Sequence, residues 1–279
     1  MLFATVPQDS SEGFPKAPHI IPMGSQEKAA DPESFQKWAE KTAFTDFLVQ
    51  YKLDGASMEL QYEQGRFIRA VTRGDGKIGD DITANVKKMQ GVVLELQGEA
   101  APNGSMPFSG GIRGEVIMTK TVLQQFYSDK KNCRNAANGL MKRKDGRGSE
   151  HLQVICYDAA SGTAGKPFTG TAPFKTETEK LHWLDMQGFL LVPVKHCTSV
   201  RSVIDYRAHV MDIRGTLPYD IDGLVIKNDR IDTADLSRPR PEKQIAFKFS
   251  LEEAVTVLRS VEWSESGTTY TPIALIDPV

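Results

Sequence analysis

Apolar and polar positions alternate along this chain with a period that changes several times. Residues up to about Ser25 hold Pro, Gly and Ser without either period, so an extended lead-in is expected there. Helical spacing begins near Pro32 and takes in Phe35, Trp38, Ala39 and Ala43. The period then falls to two. Phe47, Leu48 and Val49 lead into Tyr51-Lys52-Leu53-Asp54-Gly55, and Met58, Leu60 and Tyr62 alternate beyond it. Glu63-Gln64-Gly65 supplies a turn and residues 67–71 a returning strand, which together predict a β-hairpin. A helix is expected from about Asp81, with Ile82, Val86 and Met89 on one face. Further strands are expected at 112–118, 153–157, 190–194, 224–227 and 244–249, and more strands over 255–279. Helical patterns follow Thr119, cover 176–186 (stopped by Gly188) and follow Thr198, the threonines serving as N-caps. Short antiparallel strands mixed with helices predict an α+β fold.

Composition narrows the class. The 279 residues are 40% hydrophobic and 25% charged, as in a soluble globular chain. A net charge of -2 argues against a protein that coats nucleic acid, though local basic patches remain open. Cys133, Cys156 and Cys197 lie far apart and form neither a zinc module nor a disulfide framework. No apolar stretch is long enough to span a bilayer, and the N-terminus carries no secretory pattern. A cytoplasmic protein with no membrane partner is expected.

The motif with most chemistry is Lys52-Leu53-Asp54-Gly55, after an apolar strand. Alone it is weak and reads more readily as a turn with a solvated lysine. In order behind it come Thr72-Arg73-Gly74-Asp75-Gly76, Arg113-Gly114-Glu115-Val116, Arg134-Asn135-Ala136-Ala137, Asp220-Ile221-Asp222-Gly223-Leu224-Val225-Ile226-Lys227 and Ala246-Phe247-Lys248-Phe249. From about His19 to Val279 this succession resembles the NAD-dependent DNA ligases of bacteria and some viruses. The resemblance implies a nucleotidyltransferase (ATP-grasp-like) domain of antiparallel sheets flanked by helices, with the beginning of an OB-fold at the C-terminus. The divisions expected are a lead-in and helix (1–45), the adenylation domain (46–252) and the OB-fold start (253–279).

The chemistry agrees. A lysine that attacks a phosphate must be neutral, and desolvation and nearby cations favour the neutral amine. Lys227 and Lys248 can be those cations and can offset charge developing on the α-phosphate. Asp54, two residues from Lys52, would share its face and orient it. By resemblance, Lys52 takes up AMP from NAD, with Asp54, Lys227 and Lys248 assisting. Gln50, Gly55, Arg73, Glu115, Tyr157, Val225 and Arg214 would bind the AMP or NAD, Tyr157 and Val225 about the adenine. Core packing for Tyr157 and Val225, and a solvated surface for Arg214, remain open. Glu115 and Asp222 would also hold Mg²⁺. Nicked double-stranded DNA would be the partner, contacted by Arg134, Lys142, Arg143 and Lys144. These belong to a basic run over 130–147 whose only acid is Asp145, and which reads otherwise as a solvated loop.

Other classes fit less well. Gly74-Asp75-Gly76-Lys77-Ile78-Gly79 matches G-x-G-x-x-G, but the strand before it is amphipathic and the βαβ unit of a Rossmann oxidoreductase is missing. A non-catalytic nucleic-acid-binding module has no use for the set Lys52, Glu115, Lys227 and Lys248. ATP-dependent polynucleotide ligases share the lysine motif, so ATP stays open as donor. This chain departs from the family in places. Gln50 stands where a glutamate is usual, Lys142 where an arginine is, and Gly24 and Gln26 break an expected apolar run. About eighteen residues precede His19, too few for the cap domain that binds the nicotinamide half of NAD. Further domains or a second chain would supply that cap and the rest of the OB-fold.

Overall fold

The strand Phe47–Leu53 carries two patterns at once, and most of the architecture follows from them. Phe47, Val49 and Leu53 point into a core shared with Leu224, Ile226, Ile245 and Phe247 from the neighbouring strands. Two helices close that side, Pro32–Thr42 through Phe35, Trp38 and Ala39, and Val200–Ile213 through Val203 and Val210. Phe35 stacks on Phe247 with centroids 4.9 Å apart. The alternate positions, Gln50 and Lys52, face the other way. Cross-strand pairing extends that second face to Gly223, Val225 and Lys227, and to Gln244, Ala246 and Lys248. A strand face that carries lysines opposite a wholly apolar face marks a surface kept open for something other than packing.

The structure is a computed structural model that describes residues 13–97, 107–166, 173–236, 238, 240–249, 256–266 and 269–278. Residues 1–12 of the expected lead-in and residues 250–255 lie outside these. The first compact unit is Met1–Phe249. Its first sheet runs in the order Val194–Cys197, Phe47–Leu53, Ile221–Lys227, Gln244–Lys248, Glu27–Ala29, antiparallel except for the last pair. Its second sheet runs Arg66–Thr72, Ala56–Glu63, Gly110–Ile117, Gln153–Ser161, Leu190–Leu191, again with only the last pair parallel. Met58, Leu60, Ile112 and Val154 of the second sheet pack against Ala136, Leu140 and Met141 of the helix Cys133–Met141 and against Leu181 and Leu184 of the helix Glu177–Met186. The architecture is α+β, antiparallel sheets flanked by helices, as expected.

Several local expectations change. The strand expected at 190–194 is two strands in two sheets, because Leu190–Leu191 joins the second and Val194–Cys197 the first. The lead-in contains two short strands, Lys16–Pro18 and Glu27–Ala29. The helix expected from Asp81 shrinks to Thr83–Val86, preceded by the strand Ile78–Asp80. Thr119 and Thr176 cap their helices as expected, but Ser199 rather than Thr198 caps the third, through a reciprocal box with Ser202. The basic run is not a loop throughout. Asn132 accepts from the Asn135 amide and starts the helix Cys133–Met141 inside it. Gly79 lies inside the strand Ile78–Asp80 and opens no helix, and the Gly74 and Gly76 backbones turn at φ 54° and 92°, so the G-x-G-x-x-G string is a turn between that strand and Arg66–Thr72, which the antiparallel bridge Val71–Asp81 joins.

The second unit, Ser250–Val279, holds the antiparallel hairpin Leu258–Ser266 and Thr269–Ile276. Arg259 closes it with two 2.7 Å bonds to the Asp277 carboxylate. Among the described residues no helix is long and apolar enough to cross a membrane.

Candidate active site

Within the first unit, the open face of the first sheet looks across a cleft of about 330 Å³ at the second sheet. From the first sheet come Gln50, Lys52, Val225, Lys227, Ala246 and Lys248, and from the second Ser57, Arg113, Glu115, Tyr157 and Asp158. The segment from Ile21 to Gln26 forms a further wall.

Two β-bulges shape this cleft. Ile221 pairs with Leu53 and Gly223 with Lys52, which leaves Asp222 as an extra residue in its strand. The bulge turns Asp222 to the same side as Lys52, where simple alternation would have sent it into the core. There its carboxylate spans two lysines. Lys52 Nζ lies 2.9 Å from Oδ1 and donates to Oδ2 at 3.2 Å, and Lys248 Nζ donates to Oδ2. Gly223 permits the close approach of the Gln244–Lys248 strand, since a Cβ there would sit 2.6 Å from the Phe247 carbonyl oxygen. In the second sheet, Arg113 pairs with Asp158 and Gly114 with Cys156, so Tyr157 is the extra residue. Both Tyr157 and Asp158 then line the cleft.

Glu115 accepts a 2.8 Å bond from Ser57 Oγ. Burial pushes its carboxyl up to about 7, with Ser57, Lys52 and Arg134 pulling the other way and the Asp222 charge adding to the rise. Lys227 donates at 3.0 Å to Glu177, from the helix behind the cleft. Gln50 is buried and its amide nitrogen has no partner among the described residues. The Ile21–Gln26 wall is tied from beneath. Glu59, wholly buried, accepts from the backbone amides of Ile20 and Ile21 at 2.8 and 2.7 Å. Burial would raise its carboxyl, but the His19 imidazole, the Ile20 amide and the Gln61 side chain outweigh that and hold it below the ordinary value. Arg73 fastens the same wall through the Met23 carbonyl and Ser25 hydroxyl, and Arg113 through the Pro22 carbonyl.

The expected residues thus fall into two groups. Gln50, Lys52, Arg73, Glu115, Arg134, Tyr157, Asp222, Val225, Lys227 and Lys248 line the cleft together. Asp54, Gly55, Arg214, Lys142, Arg143 and Lys144 are not among its lining residues. Asp54 lies just beyond its strand and bonds Arg134 Nη1 at 2.7 Å. The carboxylate in contact with Lys52 is Asp222, while Asp54 pairs with Arg134. Gly55 meets the neighbouring strand so closely that a Cβ would lie 2.3 Å from the Val116 carbonyl. Arg214 sits 5.6 Å from the Phe249 ring at the end of its helix. Arg143 binds Asp145. The two carboxylates expected to hold Mg²⁺ have other partners, and no group of three His, Cys, Asp or Glu able to hold a metal occurs among the described residues. Asp222 already carries two ammonium groups, and Glu115 resists ionisation. These residues therefore make no cage for Mg²⁺ on their own.

Sequence reasoning missed Ser57, Arg113 and Asp158. Arg113 belongs to a quoted motif and Ser57 shares the strand face of Glu59, so both were within reach. Asp158 needs the bulge at Tyr157, which no periodicity announces.

The sequence pattern described as NAD-dependent DNA ligase adenylation domain matches residues 11–252. The chain is 67% identical over 279 residues to a DNA ligase of Treponema denticola, covering all of this chain and 43% of that protein. It is 55% identical over 278 residues to a DNA ligase of Treponema pallidum, again covering all of this chain and 34% of that protein. A DNA ligase of Rhodopseudomonas palustris is 32% identical over 292 residues, with 96% and 39% covered. The chain therefore spans less than half the length of these relatives.

Proposed function

This chain belongs to the NAD-dependent DNA ligase adenylation-domain family, and from that premise we propose that its cleft transfers AMP from NAD to Lys52 and then to the 5′-phosphate of a DNA nick. The observation that carries the proposal is the placement of Lys52 between Asp222 and the open cleft, with Lys227 and Lys248 on the same face.

In the first step the lone pair of Lys52 Nζ forms a bond to the adenylate phosphorus. The bond from that phosphorus to the bridging oxygen breaks, and nicotinamide mononucleotide leaves with the electron pair. The proton lost from Nζ passes to Asp222, the carboxylate in contact with it. Lys227 and Lys248 lie where they would meet the negative charge that builds on the phosphate oxygens, a contact worth more in a partly dry cleft than in water. Glu115 and Ser57 would meet a ribose hydroxyl, and Tyr157, Val225 and the Gln50 amide the adenine. Arg134 and the basic residues Lys142, Arg143 and Lys144 would meet the DNA backbone, and the hairpin over 258–276 would be the opening of the OB-fold.

The test is label transfer. Incubated with NAD labelled in its adenylate phosphate, the chain should acquire a covalent label that Lys52→Ala abolishes while the fold persists. Label retained by Lys52→Ala would sink the assignment, and label taken only from ATP would replace NAD as donor.

A further inference from the structure

Behind the cleft wall runs a buried row of alternating charges, of which the reaction just described uses only Lys227. Lys227 Nζ donates to Glu177 Oε2 at 3.0 Å, and Lys180 Nζ donates to Glu177 Oε1 at 2.8 Å. Lys180 also donates to Asp158, which Arg113 meets at 3.4 Å. Lys180 is 1% exposed, Glu177 4%, and Asp158 8%. Only Lys227, Arg113 and Asp158 of this row line the cleft.

Burying such groups is costly, and an apolar helix face would have been cheaper for stability alone. Burial works to deprotonate Lys180, but the Asp158 and Glu177 carboxylates outweigh it and push its ammonium above the ordinary lysine value. The row thus holds three cations against two anions. Were Lys180 absent, Glu177 would face Lys227 alone, as a one-to-one pair whose field in the cleft largely cancels. With Lys180 present, the Glu177 carboxylate is divided between two lysines.

We propose that Lys180 is a positioning residue for Lys227: by sharing Glu177, it lets that carboxylate fix the Lys227 ammonium in place without neutralising it toward the bound phosphate. This rests on the reading of Lys227 as a phosphate contact given above.

The experiment measures the single-turnover rate of label uptake from NAD by the whole chain. Four variants are compared with the parent: Lys227→Met, Lys180→Met, Glu177→Gln, and Glu177→Gln with Lys180→Met together. Circular dichroism confirms the fold of each. Losing a preorganised charge contact outright typically costs about 10²–10³ in rate, so Lys227→Met should be slow, and Lys180→Met, which only screens that charge, slower than the parent on the order of tenfold. Because the lost contact acts in the transition state, half-saturating NAD should move by less than about threefold. Adding Glu177→Gln to Lys180→Met should restore the rate to that of Glu177→Gln alone, since an uncharged amide has nothing to share.

A parent-like rate in Lys227→Met would overturn the reading of the site itself. A slow Lys227→Met beside a parent-like Lys180→Met would overturn only the present proposal. So would a double variant slower than Glu177→Gln, or unfolded where Glu177→Gln is folded, because Lys180 would then serve structure alone. If Lys180→Met by itself fails to fold, the comparison of Glu177→Gln with the double variant decides: equal rates support the proposal and unequal rates refute it.

Discussion

Replacing Glu115 by Gln should stabilise the protein above neutral pH and change little below pH 5. The carboxyl rises from 4.5 to about 7 on folding, chiefly through burial. A folded-state value above the unfolded one means that the folded chain holds its proton more tightly. The associated stability is complete below about pH 4.5 and disappears as the pH climbs through about 7. At 1.36 kcal/mol per pH unit, the difference between pH 5 and pH 8.5 comes to about 2–3 kcal/mol. That is a sizeable share of the roughly 5–15 kcal/mol that holds a domain folded. Glutamine keeps an oxygen for the Ser57 hydroxyl and has no proton to lose, so its stability should lack this slope. The assay is urea unfolding at pH 5 and pH 8.5 without nucleotide, followed by the fluorescence of Trp38 and Trp183. A Trp263→Phe background leaves the Met1–Phe249 unit as the only reporter. The gap between the Gln variant and the parent should widen by about 2–3 kcal/mol from the lower pH to the higher. A gap that stays the same would mean that Glu115 ionises freely in the folded cleft, and the reasoning from burial would be wrong.

Other substitutions probe separate parts of the structure. Lys248→Ala should lower the rate of label uptake from NAD by about 10²–10³ with the fold intact, and a loss of only a few-fold would remove it from the phosphate. Gly223→Ala forces a Cβ to 2.6 Å from the Phe247 carbonyl, so thermal unfolding should report a loss of about 1–3 kcal/mol, and an unchanged midpoint would contradict the close approach. Phe35→Ala empties the stack on Phe247 beneath the first sheet and should cost about 3–5 kcal/mol in urea unfolding, against less than 1 if the helix can slide to fill the gap.

How much of this could be read from the sequence depended on where the period of the pattern stayed simple. Over residues 49–53 the strand Phe47–Leu53 alternates, so its core face and its Lys52 face were both visible, as were the partner lysines on Ile221–Lys227 and Gln244–Lys248. The split of 190–194 had one mark, Pro193, which lacks a backbone N–H and lies where the chain leaves one sheet for the other, but the apolar residues around it read as a single strand. The helix Cys133–Met141 was hidden by the lysines and arginines on either side, although Asn132 offered a cap. The Glu177–Met186 helix buries a glutamate and a lysine, so Lys180 looked like any solvated position. The contact of Asp222 with Lys52 turns on a bulge, which is a property of pairing and has no signature in one strand alone.

Those two bulges also bear on how the sequence can change over generations. Elsewhere in a strand, losing one residue turns every side chain beyond it to the opposite face of the sheet and breaks the core. At Asp222 the loss would restore regular pairing of Ile221–Lys227 with Phe47–Leu53, so a deletion there would repair the sheet and remove the site. At Tyr157 it would do the same to Gly110–Ile117 and Gln153–Ser161. Selection on folding alone would favour such a deletion, and an alignment gap at either position would therefore mark the loss of chemistry in a descendant that still folds well.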